Sequence, residues 1–231
     1  MKKKITFYTE LSYVFGLLLL SFGTSLMEKA NLGLSMIVAP AYIIHLKVSE
    51  FLPWFSFGMA EYCFQALLLL VTCIIVGKVK KGYLFSFVTA ICYGALLDTF
   101  IKALGFLQPA ENDFVLRWAL FALGLIFCTA GVSLFFHTYI SPEAYEMIVK
   151  EIAGKWSLPI HRVKMAYDIS SCVIAVAMAF AFFGWGQFVG INIGTAVSAV
   201  LNGILINIMS RIFESIFEFK DGLRLRSFFE E

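Results

Sequence analysis

Residues 169–210 form a run of 42 without a formal charge. A helix needs ~20 apolar residues to cross the hydrocarbon of a bilayer, so this run is long enough for two crossings. Its only punctuation is Gly184-Trp185-Gly186-Gln187, which divides it into a fifth and a sixth span joined by a tight turn, the sixth ending near Ile212. The rest of the chain repeats the pattern. The residues between Glu10 and Glu28 predict a first span ending near Leu26. A second runs from about Pro53 to Val76, a third from about Tyr83 to Ala103, and a fourth from about Phe114 to Phe136. Lipid cannot satisfy a bare backbone, so these segments must be helical. Lys2, Lys3 and Lys4 precede the first apolar run, but no small-residue cleavage site ends it, and the span is read as retained.

Composition excludes other classes. The 231 residues are 60% hydrophobic and only 15% charged, against about 25% charged in ordinary soluble domains. The net charge of +2 gives no footprint for nucleic acid. The five cysteines, Cys63, Cys73, Cys92, Cys128 and Cys172, form no CxxC pair, which argues against a disulfide framework or a zinc site. His45, His137 and His161 share no metal-ligand spacing, and no Walker loop, HExxH or GxSxG motif occurs. The expectation is a protein that is not an enzyme and carries no cofactor or metal.

Basic residues report topology, because Lys and Arg concentrate on the cytoplasmic side. Six spans with the N-terminus inside place 14 of the 18 basic residues there and leave Lys29, Lys47, Lys102 and Arg117 outside. The expected location is the cell membrane, multi-pass, with both termini cytoplasmic.

Ser86 to Asp98 returns as Thr195 to Asn207, 109 residues later. Ser86 pairs with Thr195, Thr89 with Ser198, Tyr93 with Asn202, Gly94 with Gly203 and Asp98 with Asn207. Steps of three and four residues keep these positions on one side of a helix, so each copy carries a polar stripe on an apolar rod. At neighbouring offsets Gly16, Gly23, Ser25 and Leu26 fall on Gly124, Gly131, Ser133 and Leu134, and Glu61 falls on Asp168. Each half has three spans, and an odd number of crossings inverts the second half. The fold class expected is an all-α membrane protein of six transmembrane helices built as two inverted three-helix repeats. Each repeat adds a short helix, at residues 35–47 and 142–154, either interfacial or re-entrant. Ser141-Pro142-Glu143 reads as the capped start of the second. The divisions are a first repeat 1–107, a connector 108–113 around Gln108, Pro109 and Glu111, a second repeat 114–216, and a solvated tail 217–231.

These residues resemble the YczE/YyaS/YitT group of prokaryotic multi-pass membrane proteins. The likeness lies in the glycine-rich first span running into Leu32-Gly33-Leu34-Ser35, the pair Tyr167-Asp168, and Gly194-Thr195 with Asn202-Gly203. It implies a bacterial plasma-membrane protein with a transporter-like fold, and names no substrate.

Inverted repeats build many secondary transporters, with a site between the halves. The function expected is movement of a small polar or ionic solute, the third and sixth helices facing each other across the site. Asp98, Asn207, Ser86, Thr89, Tyr93, Thr195, Ser198 and Asn202 are the candidate solute contacts. Glu61, Asp168 and Gln65 are candidates for coupling to protons or cations, since a carboxylate inside a span costs about 2.5 to 3.5 kcal/mol unless paired, protonated or hydrated. Each candidate also has a bland reading: Asp98 as a structural pair, Glu61 and Asp168 as helix-start acids, the stripes as packing surfaces. The alternative function is an accessory or scaffold protein that binds a partner through the amphipathic 142–154 helix. The partners expected are the lipid bilayer and the solute, without nucleic acid; whether a homodimer forms stays open.

Overall fold

The computed structural model describes residues 4–107, 109, 113–186, 188–223 and 226, apart from the side chains of residues 160 and 161. Gln108 and Glu111 of the connector, Gln187 of the last turn, the His161 side chain, Lys2 and Lys3, and most of the tail beyond Leu223 lie outside the described residues.

The chain is an all-α membrane protein. In order it forms β1 (Ile5–Tyr8), α1 (Thr9–Ala30), α2 (Ala39–Ser49), α3 (Phe57–Val76), α4 (Lys81–Ala103), α5 (Phe114–Phe135), α6 (Ala144–Lys155), α7 (Ile160–Phe183), α8 (Ile193–Ile216) and β2 (Phe217–Lys220). Among the described residues six helices, α1, α3, α4, α5, α7 and α8, are long and apolar enough to cross a membrane. At ~1.5 Å per residue each reaches the ~30 Å of a hydrocarbon core.

At the centre α1 and α5 lie antiparallel, with Gly16 beside Gly131 and Gly23 beside Gly124. A Cβ on Gly23 would stand 2.6 Å from the Gly124 carbonyl oxygen, and one on Gly124 2.7 Å from that of Gly23. Small residues let backbones approach closely where lipid gives no hydrophobic drive between helices. The two glycine pairs that matched in the sequence thus meet crosswise in space, each glycine against the other pair's member on the facing helix.

α4 packs on α1, and α8 packs on α5. Tyr93 Oη donates to Thr24 Oγ1 (3.0 Å), the Tyr13 and Thr89 hydroxyls lie 2.9 Å apart, and Ser133 bonds Ser210 at 2.9 Å. α4 and α8 do not pack on one another. The expectation that the third and sixth helices face each other is therefore corrected: α4 turns Thr89 and Tyr93 of its polar stripe to α1, while α8 meets α5 through Ser210, outside its stripe. α3 packs along α4, while α7 does not pack along α8.

The two short helices are set into the bundle. α6 begins abreast of the middle of α3, where Gln65 Nε2 reaches Glu143 Oε2 at 3.3 Å. It ends beside the C-terminus of α3, where Lys155 Nζ donates to the Ile75 carbonyl and Lys80 is paired with Glu151 at 2.7 Å. Ala144, Tyr145, Met147, Ile148, Val149 and Ala153 are buried, so the 142–154 segment is no free amphipathic surface. The segment leading into α2 is placed likewise against α7 and α8. Ser171 Oγ donates to the Met36 carbonyl (2.9 Å) and Asn202 Nδ2 to Ser35 Oγ (3.4 Å), both near the middle of their helices. Asn31 and Gly33, with φ of 49° and 96°, make the turn that sends the chain back inward.

Three local expectations change. Ser141 does not cap α6: Glu143 holds the cap position, and the Ser141 carbonyl accepts from Thr89 Oγ1 at 3.2 Å. α7 starts at Ile160, so Asp168 lies in its third turn instead of opening the span. The tail is not simply solvated. β2 pairs in parallel with β1, Ile5 opposite Phe217 through Tyr8 opposite Lys220, putting both termini on one face of the molecule. Phe7 packs on the Phe217 ring at 4.9 Å, and Glu10 accepts the Gly222 and Leu223 amides.

Candidate functional site

α3 is apolar on most of its circumference, but Glu61, Gln65 and Thr72 repeat at helical spacing on the side that meets α6, and all three are fully buried. Glu143 joins them from the start of α6 with 4% of its surface exposed. The Gln65 amide bridges the two acids: its Nε2 lies 3.5 Å from Glu61 Oε2 and 3.3 Å from Glu143 Oε2. Its own Oε1 accepts the Ala144 backbone amide at 3.2 Å, which fixes which way the amide points. Tyr145 Oη donates to Glu61 Oε2 at 2.8 Å. The second oxygen of each acid, Glu61 Oε1 and Glu143 Oε1, is buried without a hydrogen-bond partner among the described residues, as is Ser86 Oγ.

The electrostatics are unbalanced. Burial, then the neighbouring Glu146 and Glu61 carboxylates, hold the Glu143 carboxyl well above the usual range, against smaller opposing effects of Gln65 and Lys164. Burial and Glu61 likewise push the Tyr145 phenol far up. Lys164 stands 3.6 Å from Glu146 and 3.4 Å from Asp168, so its charge is shared among several acids. Two buried carboxyls joined by one amide, each with an oxygen left without a partner among the described residues, can take up a proton. Among the described residues no group of three or more His, Cys, Asp or Glu side chains is arranged to hold a metal ion.

Of the coupling candidates, Glu61 and Gln65 meet in this site, and Asp168 reaches its edge through Lys164. The solute candidates are dispersed. Asp98 receives the Gly58 amide on Oδ1 at 2.8 Å and the Ser56 hydroxyl on Oδ2, and so holds the N-terminus of α3. Thr89 and Tyr93 bind α1, and Thr89 also takes up the Ser141 carbonyl. Thr195 completes a capping box with Asn192, and Ser198 donates to the Thr195 carbonyl at 2.9 Å. Asn202 reaches Ser35, whereas Asn207 is exposed on α8.

Sequence reasoning missed Glu143 and Tyr145 as site residues. Their signal was the shortness of the link: only residues 136–143 separate α5 from the next helix, whose Ala144, Tyr145, Ile148 and Val149 form an apolar face. Such a face has to be covered, and covering it carries Glu143 inward.

Residues 7–211 match a family of unknown function, DUF6198. The chain belongs to that family. No curated protein and no solved structure matches the chain. Membership accounts for nearly all of the six-span body, including Glu61, Gln65 and Glu143.

Proposed function

We propose that this member of DUF6198 is a secondary transporter of a small polar or ionic solute in the cell membrane, with both termini cytoplasmic. The observation that carries the reading is the placement of α2 and α6: two half-length helices starting at mid-depth from opposite faces. Discontinuous segments at mid-depth are where transporter sites are built, because helix ends and unwound backbone offer ligands there.

The pairing of elements supports two inverted repeats. Exchanging the first half for the second turns α1 on α4 into α5 on α8, α3 on α6 into α7 on α2, and α2 on α3 into α6 on α7, and all of these pairs occur. The exceptions are α3 on α4 and α4 on α6, whose counterparts α7 on α8 and α8 on α2 are parted. Alternating access asks for such an asymmetry, one half closed while the other is open. The likeness to the YczE/YyaS/YitT group agrees with a transporter-like fold. On this reading Glu61, Gln65 and Glu143 couple solute movement to an ion, and Asn202, Ser35 and Ser171 contact solute from the other half. A cavity of about 190 Å³ lies between Glu28, Asn31, Tyr42 and Asn192, beside the turn that leads into α2.

The test is uptake of radiolabelled amino acids, nucleosides and inorganic ions by proteoliposomes under an imposed pH gradient. Uptake of at least one class, lost in Glu61→Gln, is expected. A folded protein that moves none of them, with α7 and α8 at one fixed separation under every gradient, ends the proposal.

A further inference from the structure

We propose that the outward face of α8 is the interface for a second copy of this chain. The two molecules meet α8 against α8 about a two-fold axis along the membrane normal, with their Asn207 amides bonded to each other. The interface stands on α8 itself and does not depend on the transporter reading.

α8 joins the body of the molecule along α5, and its inward face is marked by Gly194, Thr195 and Ser198, which are buried. Asn207 follows Ser198 by about two and a half turns and so points the opposite way. It is exposed, lies within one turn of the midpoint of the Ile193–Ile216 span, and its amide has no partner among the described residues. Lipid tails offer an amide neither donor nor acceptor, so an Asn left facing them is costly. The preceding span, α7, does not pack along α8 and leaves this face bare.

The residues around Asn207 fit a copy of themselves. Ile193, Ala196, Val200, Gly203 and Asn207 succeed one another by alternate steps of three and four, and all five are exposed. That is the spacing of a two-helix seam. The β-branched Ile193 and Val200 share one seam position with Asn207, and a single Asn there fixes register and oligomer state. Ala196 and Gly203 share the other, where small residues let two backbones approach in lipid. A Cβ on Gly203 meets nothing within 4 Å in its own chain, so the space beside it is open to a neighbour.

Copies inserted the same way up set identical residues opposite one another across a two-fold axis. An Asn amide, donor and acceptor at once, satisfies its own image. Toward the end that carries β2, Arg211 and Glu214 stand exposed on the same face, so the Arg211 of one copy can reach the Glu214 of the other.

The test is energy transfer between full-length chains labelled at the N-terminal amine with donor or acceptor dye and reconstituted together in liposomes at a series of protein-to-lipid ratios. Transfer that rises with protein density to the plateau of a dimer is expected. Asn207→Leu, close in volume and lacking the amide, should weaken dimerisation about tenfold. Gly203→Leu should abolish it, and Val173→Leu, at an exposed position on α7, should leave it unchanged. If a Leu variant does not fold, mild oxidation of Asn207→Cys decides. A disulfide-linked dimer above the wild-type background, with none from Leu201→Cys a third of a turn away, supports the interface. A wild-type chain that stays monomeric at every ratio overturns the proposal and leaves the face to lipid or to a different membrane protein. A dimer that neither folded Leu variant weakens, or equal cross-linking from both cysteine positions, overturns it as well.

Discussion

Gly58 of α3 and Gly94 of α4 cross backbone against backbone: a Cβ on Gly58 would stand 2.0 Å from the Gly94 carbonyl oxygen, and one on Gly94 2.5 Å from that of Gly58. Gly203, the partner of Gly94 in the sequence repeat, has nothing within 4 Å of the same position. Gly94→Ala forces the two helices apart and should destabilise the protein by about 1 to 3 kcal/mol. Gly203→Ala should change stability by no more than ~0.5 kcal/mol. Melting temperatures of the two variants in detergent check the contrast.

The same crossing decides what Asp98 does. Asp98→Ala strips the acceptor from the Gly58 amide and the Ser56 hydroxyl, and a lost cap of this kind costs about 1 to 2 kcal/mol. Lower thermal stability with solute uptake per folded molecule unchanged is expected. Uptake lost at full stability would return Asp98 to the solute path.

Gln65→Leu keeps the volume and removes the bridge. The Ala144 amide and Glu143 Oε2 are left without a partner while Glu61 Oε2 keeps only Tyr145, and each buried unsatisfied group costs ~1 to 3 kcal/mol. Destabilisation of about 3 kcal/mol or more is expected, against less than about 1 kcal/mol for an exposed substitution such as Val79→Ala. Chemical unfolding of the two variants side by side measures the difference.

Stability should fall as pH rises. The Glu143 carboxyl titrates higher in the folded protein than its ordinary value of 4.5. Its contribution is therefore fully present below that pH and is lost as pH climbs through the folded value, because the folded state binds the extra proton. The slope from this one group is at most ~1.4 kcal/mol per pH unit. A melting temperature that declines between pH 5 and 8 in the wild type, and declines less in Glu143→Gln, is the expected result.

The spans were legible because hydrophobic length is local. Helix bounds from sequence and structure agree within a few residues for Phe114–Phe135 and Lys81–Ala103, where charges or turns stop the apolar run. α7 escaped by eight residues, since its first two turns, with Arg162 and Lys164, are polar and read as loop. The buried site was half legible. Glu61 and Gln65 stand one turn apart on an apolar helix and announce themselves. Glu143 lies 78 positions from Gln65 and is buried only because α6 folds back into the bundle.

The amino-acid order by itself settled how many times the chain can cross, where each crossing starts and stops, and that a polar residue on those rods needs a partner, because transfer into lipid is a sum over each segment's own side chains. Which partner each polar residue found was decided by packing. Close glycine contacts brought α1 onto α5 and α3 onto α4, so Thr89 and Tyr93 of the α4 stripe turned to α1, while the α8 stripe found its own cap, its own backbone and Ser35. The inward fold of α6 set Glu143 against Gln65 and Glu61, a pairing that depends on the positions of three helices at once and is written in none of them alone.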